Sequence, residues 1–132
     1  MKKKLQVNQN GFAVLIAIIV VGAATLIMAY SSSILSMGEL ELGYYSQKGG
    51  EAFAIADGCM EESMRRLKVD PGYSGETLNL GNGSCTISIV PSGSDRTITV
   101  TGSVDNYNKK IEVNITLSGQ DIIVNSWEEL TS

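Results

Sequence analysis

The sequence predicts an α+β protein in which a long N-terminal helix packs on a small antiparallel β-sheet. Two observations carry this prediction. An uncharged apolar run near the N-terminus leads into a segment with helical periodicity, and the residues after Pro71 alternate apolar and polar side chains with a period of two. The chain of 132 residues has room for one modest domain.

The first element is an apolar segment, residues 12–38, that is long enough to cross a bilayer. No charged residue occurs from Gly11 to Gly38. Residues 12–30 alone would cover close to the roughly 30 Å of bilayer hydrocarbon, at about 1.5 Å per helical residue. The basic residues Lys2, Lys3 and Lys4 precede this segment. The positive-inside rule therefore predicts a single-pass protein with a cytoplasmic N-terminus and an extracytoplasmic C-terminal part.

A secretory signal peptide is the alternative interpretation of this segment, because it too joins a basic start to an apolar stretch. That stretch is usually about 7 to 15 residues long, which is shorter than the one present here. Small residues at 29–33 would permit cleavage near Ser31. The length of the apolar run favours a retained membrane helix.

Residues 39–70 are predicted to continue the helix outside the membrane. One apolar stripe recurs every three or four residues, namely Phe53, Ala56, Met60, Ser63 and Leu67. The sequence Asp70-Pro71-Gly72 ends the helix. Glycines at 38, 43, 49 and 50 each weaken a helix by about 1 kcal/mol relative to alanine. Bending or melting there and close packing of a neighbouring helix are both open interpretations.

Residues 71–132 are predicted to form an antiparallel β head. Strands are predicted at 77–80, 84–90, 96–104 and 111–117, where apolar residues alternate, and turns at 81–83, 91–95 and 105–108. The stripe of the preceding helix is the available cover for the apolar face of this sheet. Residues 122–127 could add an edge strand, or Trp127 could close one end of the core.

The two cysteines are predicted to form a disulfide. Cys59 lies on the helix stripe, and Cys85 begins a strand that would face this stripe. An extracytoplasmic compartment permits the bridge, which would contribute roughly 3 to 4 kcal/mol in the chain-entropy model. A metal pair and a reactive thiol are the alternatives. Two cysteines without histidine make a poor metal site, so the disulfide is favoured.

Composition argues against most catalytic and nucleic-acid-binding functions. The chain has no histidine, and ten basic against fourteen acidic residues give a formal charge of −4. We therefore expect no enzyme activity, no cofactor and no nucleic-acid partner. Three other patterns also have structural interpretations. Asp105, Asn106 and Asn108 are predicted to form a solvated turn in preference to a calcium site. The glycosylation motifs at Asn82 and Asn114 are interpreted as chance matches, and residues 31–33 as the polar end of the membrane span.

The junction between Gly11 and Phe12 resembles the class III signal sequence of type IV pilins and pseudopilins. A short basic leader, residues 1–11, ends in glycine, and the apolar run begins abruptly at Phe12. The resemblance implies that a prepilin peptidase cleaves between Gly11 and Phe12 and that the new N-terminal Phe12 is methylated. Because this cut lies on the cytoplasmic side of the span, the helix would stay on the mature chain.

A second motif resembles PilX-like minor pilins and related pseudopilins, in which an Ala-Phe pair is followed by Ala-Glu-Ala-Gly. Here the matching residues are Ala52, Phe53, Ala56 and Gly58, whereas Asp57 stands where glutamate is common. The two motifs cover the first half of the chain. They imply a subunit of a type IV pilus or of a type II secretion-like filament. Its partners would be other pilin subunits bound through the N-terminal helix, the inner-membrane assembly platform and membrane lipid.

One departure from the major pilins concerns the fifth residue after the predicted cut. Major pilins typically carry glutamate there, and this chain carries Ile16. PilX-like pilins and tip pseudopilins commonly lack this glutamate as well. The resemblance therefore implies a minor or tip subunit. The alternative function is a single-pass membrane-anchored protein whose extracytoplasmic head binds a ligand and which never polymerises.

Overall fold

The computed structural model describes residues 9–131, with the exception of the side chain of Gln9, and these residues contain one helix, α1, and five strands. The helix spans Gln9–Val69. The strands are β1 (Thr77–Leu80), β2 (Gly83–Ser92), β3 (Asp95–Val104), β4 (Tyr107–Ser118) and β5 (Asp121–Leu130). They form one antiparallel sheet in the order β1-β2-β3-β4-β5. The predicted α+β fold is confirmed.

The chain divides into two compact units, and the boundary falls within α1 between Gly43 and Tyr44. The second unit contains the rest of α1 and the whole sheet, and we call it the head. α1 is unbroken at the glycines at 38, 43, 49 and 50, so they do not melt the helix. α1 begins before Phe12, whereas residues 1–8 of the predicted leader and the terminal Ser132 lie outside the described residues.

The core of the head lies between α1 and one face of the sheet. The helix contributes Ala52, Ala56, Cys59, Met60 and Leu67, and the sheet contributes Cys85, Ile87, Ile89, Ile98, Val100, Val104, Ile111, Val113 and Ile115. Ser63 is also fully buried, and its hydroxyl donates a hydrogen bond of 2.7 Å to the carbonyl oxygen of Met60. The predicted stripe is therefore confirmed at Ala56, Met60, Ser63 and Leu67.

Phe53 was predicted to belong to this stripe, and that prediction is wrong. Its side chain is 37% exposed, and Ala52 is fully buried beside it. The reason lies at Gly102 in β3, where a Cβ atom would press on the carbonyl oxygen of Ala52 and stand 2.9 Å from the Cβ of Ala56. The helix meets the sheet so closely at this point that only small residues fit between them.

The hairpins are tighter than the sequence indicated. β2 and β3 pair out to Ser92 and Asp95, and β3 and β4 pair out to Val104 and Tyr107. The predicted turns at 91–95 and 105–108 were thus too long. Asp105 makes the shorter turn possible, because it adopts a positive φ of 53°, a conformation that aspartate tolerates better than most residues.

Residues 121–130 form a full edge strand, so Trp127 does not close the core. β5 pairs with β4, and Trp127 is 43% exposed opposite Val113. The pairing steps from Asn114 opposite Ser126 to Ile115 opposite Val124, which leaves Asn125 as an extra residue in β5. This bulge brings Ile122, Val124 and Trp127 to the same face of the sheet, the one that faces α1.

Candidate functional site

The largest apolar surface among the described residues belongs to α1 before the head. From residue 10 to residue 43 every residue is exposed except Gly22, which is half-buried. This part of α1 is long and apolar enough to cross a membrane by length and composition, and none of its most apolar window is buried. A row including Val14, Ala17, Ile18 and Val21 lines a wholly apolar surface groove. Exposed apolar surface on this scale indicates contact with lipid or with another apolar surface.

The predicted processing site lies at the first turns of α1. Gly11 and Phe12 are both helical and exposed, and Phe12 is 66% exposed. Apart from the adjoining backbone of α1, no atom of the described residues lies within 4 Å of the position that a Cβ atom would take on Gly11. Ile16 lies about one turn further along and is 45% exposed. Lys2, Lys3 and Lys4 lie outside the described residues.

The predicted disulfide between Cys59 and Cys85 is present. It joins α1 to β2 in the middle of the core, where Cys59 is 0% and Cys85 1% exposed. The alternation that placed Cys85 on the apolar face of its strand was therefore a correct signal. Both sulfur atoms take part in this bond, so neither cysteine is free to act as a metal ligand or a reactive thiol.

Asp105, for which the sequence favoured a solvated turn over a calcium site, is paired with a lysine. Its Oδ2 lies 3.2 Å from Nζ of Lys48, which also lies 3.4 Å from Oε2 of Glu51. The hydrogen bond to Asp105 is the main cause that raises the pKa of Lys48. The described residues contain no cluster of acidic, histidine or cysteine side chains suited to a metal.

A chain of three tyrosine rings begins beside this ion pair. The ring centroids of Tyr45 and Tyr107 are 5.8 Å apart, those of Tyr44 and Tyr45 are 6.3 Å apart, and Nζ of Lys48 lies 5.9 Å from the Tyr44 ring. The cluster ties the β3–β4 turn to the first turns of α1 in the head. Sequence analysis missed it, because no local pattern joins residues so far apart in the chain.

The remaining sequence motifs have structural roles. Asn114 accepts a hydrogen bond of 2.7 Å from Thr97 and donates one of 3.0 Å to Ser126, so its amide links β3, β4 and β5. Asn82 lies in the exposed turn between β1 and β2. The hydroxyls of Ser31 and Ser32 donate to the carbonyl oxygens of Ile27 and Met28 within α1.

A second ionic cluster fixes the end of α1. Glu62 accepts hydrogen bonds of 2.8 and 2.7 Å from Arg65 and one of 2.7 Å from Arg66. Arg66 also pairs with Glu76, which lies just before β1, and its guanidinium stands 5.4 Å from the ring centroid of Tyr73. The cluster thereby connects the last turns of α1 to the loop that leads into the sheet.

This cluster predicts an acid-sensitive head. Hydrogen bonds from Arg65 and Arg66 lower the pKa of Glu62 from 4.5 to about 2. A carboxylate with a lowered pKa stabilises the folded state above its unfolded pKa, and this contribution disappears as the pH falls from about 4.5 towards 2. We expect the urea midpoint of the wild type to fall as the pH is lowered across that range. The midpoint of Glu62→Gln should be lower than that of the wild type at pH 7 and should depend less on pH.

The measurement is urea unfolding of the full chain in detergent at pH 7, 5, 4 and 3, followed through the fluorescence of Trp127. Glu61→Gln, at the neighbouring exposed position, is the matched control and should keep the wild-type pH dependence. Parallel pH profiles for the wild type and Glu62→Gln would contradict the prediction.

Comparison with protein-family models, with curated proteins and with solved structures finds no match to this chain.

Proposed function

We propose that this chain is a minor pilin or pseudopilin, a structural subunit of a type IV pilus or type II secretion-like filament. In this proposal it is inserted in the membrane before assembly, with its N-terminus in the cytoplasm and its head outside. Its partners are prepilin peptidase, the inner-membrane assembly platform, membrane lipid and other pilin subunits.

The observation that carries the proposal is the bare apolar surface of α1 between residues 10 and 43. Such a helix is stable in lipid, and it remains stable when other apolar helices replace the lipid around it. Small residues at 13, 17, 22, 23 and 24 would allow neighbouring helices to approach closely. A filament subunit needs both environments in turn, whereas a membrane anchor needs only the first.

The Gly11–Phe12 junction supports the filament over the plain anchor. Hydrolysis of that peptide bond would leave a carboxylate on Gly11 and an ammonium on Phe12. It would also remove Lys2, Lys3 and Lys4, so the formal charge of the chain would become more negative than −4. The mature chain would then begin with the apolar helix itself, with no hydrophilic segment left to hold it at the cytoplasmic face.

The proposal predicts cleavage after Gly11 in cells with an active prepilin peptidase. Intact mass spectrometry of the membrane-extracted chain should show loss of residues 1–11, and N-methylation should add the mass of one methyl group to Phe12. Cells without the peptidase should yield the full chain. Gly11→Val should block processing because its side chain occupies the open position beside the scissile bond, whereas Gly22→Ala is the matched control and should be processed normally.

Two outcomes would count against the proposal. A chain that still begins at Met1 in cells with the peptidase would favour the single-pass anchored protein. A chain cut near Ser31 would favour a secretory signal peptide and a soluble head.

A further inference from the structure

The outer edge of β5 is the longer of the two open edges of the sheet. β5 has ten residues, whereas β1 at the opposite edge has four. Alternate residues of an edge strand direct their N–H and C=O groups away from the sheet, where another strand can pair with them. β5 contains no proline. Among the described residues no further strand pairs with this edge, and no proline prevents a sixth strand from pairing with it.

Apolar side chains border this edge on the face of the sheet that carries α1. Val124 is 48% and Trp127 43% exposed, and the bulge at Asn125 puts both on that face together with Ile122. Between β5 and the end of α1 runs a groove of about 400 Å³, lined by Met64, Ile122 and Val124 and bordered by charged residues of the helix. A strand added beside β5 would cover the exposed sides of Val124 and Trp127.

The opposite face of the sheet carries two opposed acidic side chains at the same edge, and Lys110 lies on this face two residues from Glu112. Glu128 of β5 lies directly opposite Glu112 of β4, and Thr99 and Ser88 continue this row across the sheet. The row contains no basic residue, and like charges in opposing positions of a sheet repel. A cation beyond β5 would stabilise the pair.

We propose that the edge of β5 binds an extended segment of a partner protein, which adds to the sheet as a sixth strand. The segment places apolar side chains beside Val124 and Trp127 and a lysine or arginine beside Glu128. A second copy of this chain fits less well. β5 contains no basic residue, so in a symmetric antiparallel pair of β5 strands Glu128 would not face a lysine or arginine of the copy in any register. This binding mode goes beyond the proposed function and does not require processing at Gly11.

The test uses the only tryptophan of the chain as its reporter. Full-length protein in detergent is titrated with a nine-residue peptide of alternating valine and threonine that has lysine at its central threonine position. Alternate amides are N-methylated so that the peptide cannot pair with itself. We expect a saturable blue shift of Trp127 emission. A peptide with glutamate in place of the lysine should bind at least about fivefold more weakly, because cross-strand charge pairs differ by that order.

A charge-reversal variant tests whether Glu128 determines the preference between the two peptides. Glu128→Lys lies on an exposed strand and should reverse the order of the two peptides, so that the glutamate peptide binds the variant more tightly. Asn79→Lys places a lysine in β1, at the other edge of the sheet, and should leave the wild-type order unchanged.

Three outcomes would overturn the proposal. The first is the lack of a Trp127 shift at millimolar peptide. The second is equal binding of both peptides to the wild type and to Glu128→Lys. The third is a Trp127 shift that follows protein concentration without peptide, together with dimers in sedimentation, which would assign the edge to a second copy.

Discussion

Removing the disulfide by the double substitution Cys59→Ala and Cys85→Ala is expected to lower the free energy of unfolding of the head by about 3 to 4 kcal/mol. The bridge spans 26 positions, and the chain-entropy model gives this loss for a loop of that length. The loss is large, because small domains are usually stable by only about 5 to 15 kcal/mol. Since the bridge joins α1 to β2, its removal leaves the helix and the first full strand of the sheet without a covalent link.

Urea unfolding of the full chain, purified in detergent without reductant and followed through Trp127, measures this effect. A reductant supplies the control: it should shift the wild type to the midpoint of the double variant and leave the double variant unchanged. Free-thiol labelling of native wild-type protein at both Cys59 and Cys85, or a midpoint that no reductant shifts, would contradict the prediction.

The sheet could be predicted where its residues alternate, whereas β5, in which a bulge breaks the alternation, was predicted only as one of two alternatives. Ile111, Val113 and Ile115 keep the period of two, and all three are buried as this pattern predicts. In β5 the apolar residues on the face that carries α1 fall at 122, 124 and 127, because Asn125 is inserted between them. The change from even to odd positions removes the periodic signal, although the three side chains share a face of the sheet.

The helix shows the same division between local and non-local information. Its stripe was predictable from spacing, but the choice between Ala52 and Phe53 depends on Gly102, some fifty positions away in the chain. The ion pair between Lys48 and Asp105 is equally remote. Periodicity identifies the face that a segment buries, whereas the closeness of packing depends on its partner, which a local pattern does not reveal.

The second large effect expected concerns the assembly that we propose. In major pilins the glutamate at the fifth mature position is thought to pair with the N-terminal ammonium of a neighbouring subunit. This chain has Ile16 at that position, and its apolar side chain offers no charge to an ammonium. A buried charge without a partner is destabilising by several kcal/mol. A filament made of this chain alone would repeat that penalty at every subunit, whereas a minor or tip subunit would incur it seldom.

We therefore expect this chain, expressed as the only pilin in an otherwise complete assembly system, to form at least about 100-fold fewer filaments than a major pilin does in the same cells. A penalty near 3 kcal/mol per docking step corresponds to a factor of this size. Filaments are counted by electron microscopy and by immunoblotting of the sheared fraction. Ile16→Glu restores the carboxylate and should raise the yield, whereas Ile16→Gln adds polarity without charge and should not. Abundant filaments of the unaltered chain, or equal yields from these two variants, would show that the missing carboxylate does not limit its assembly.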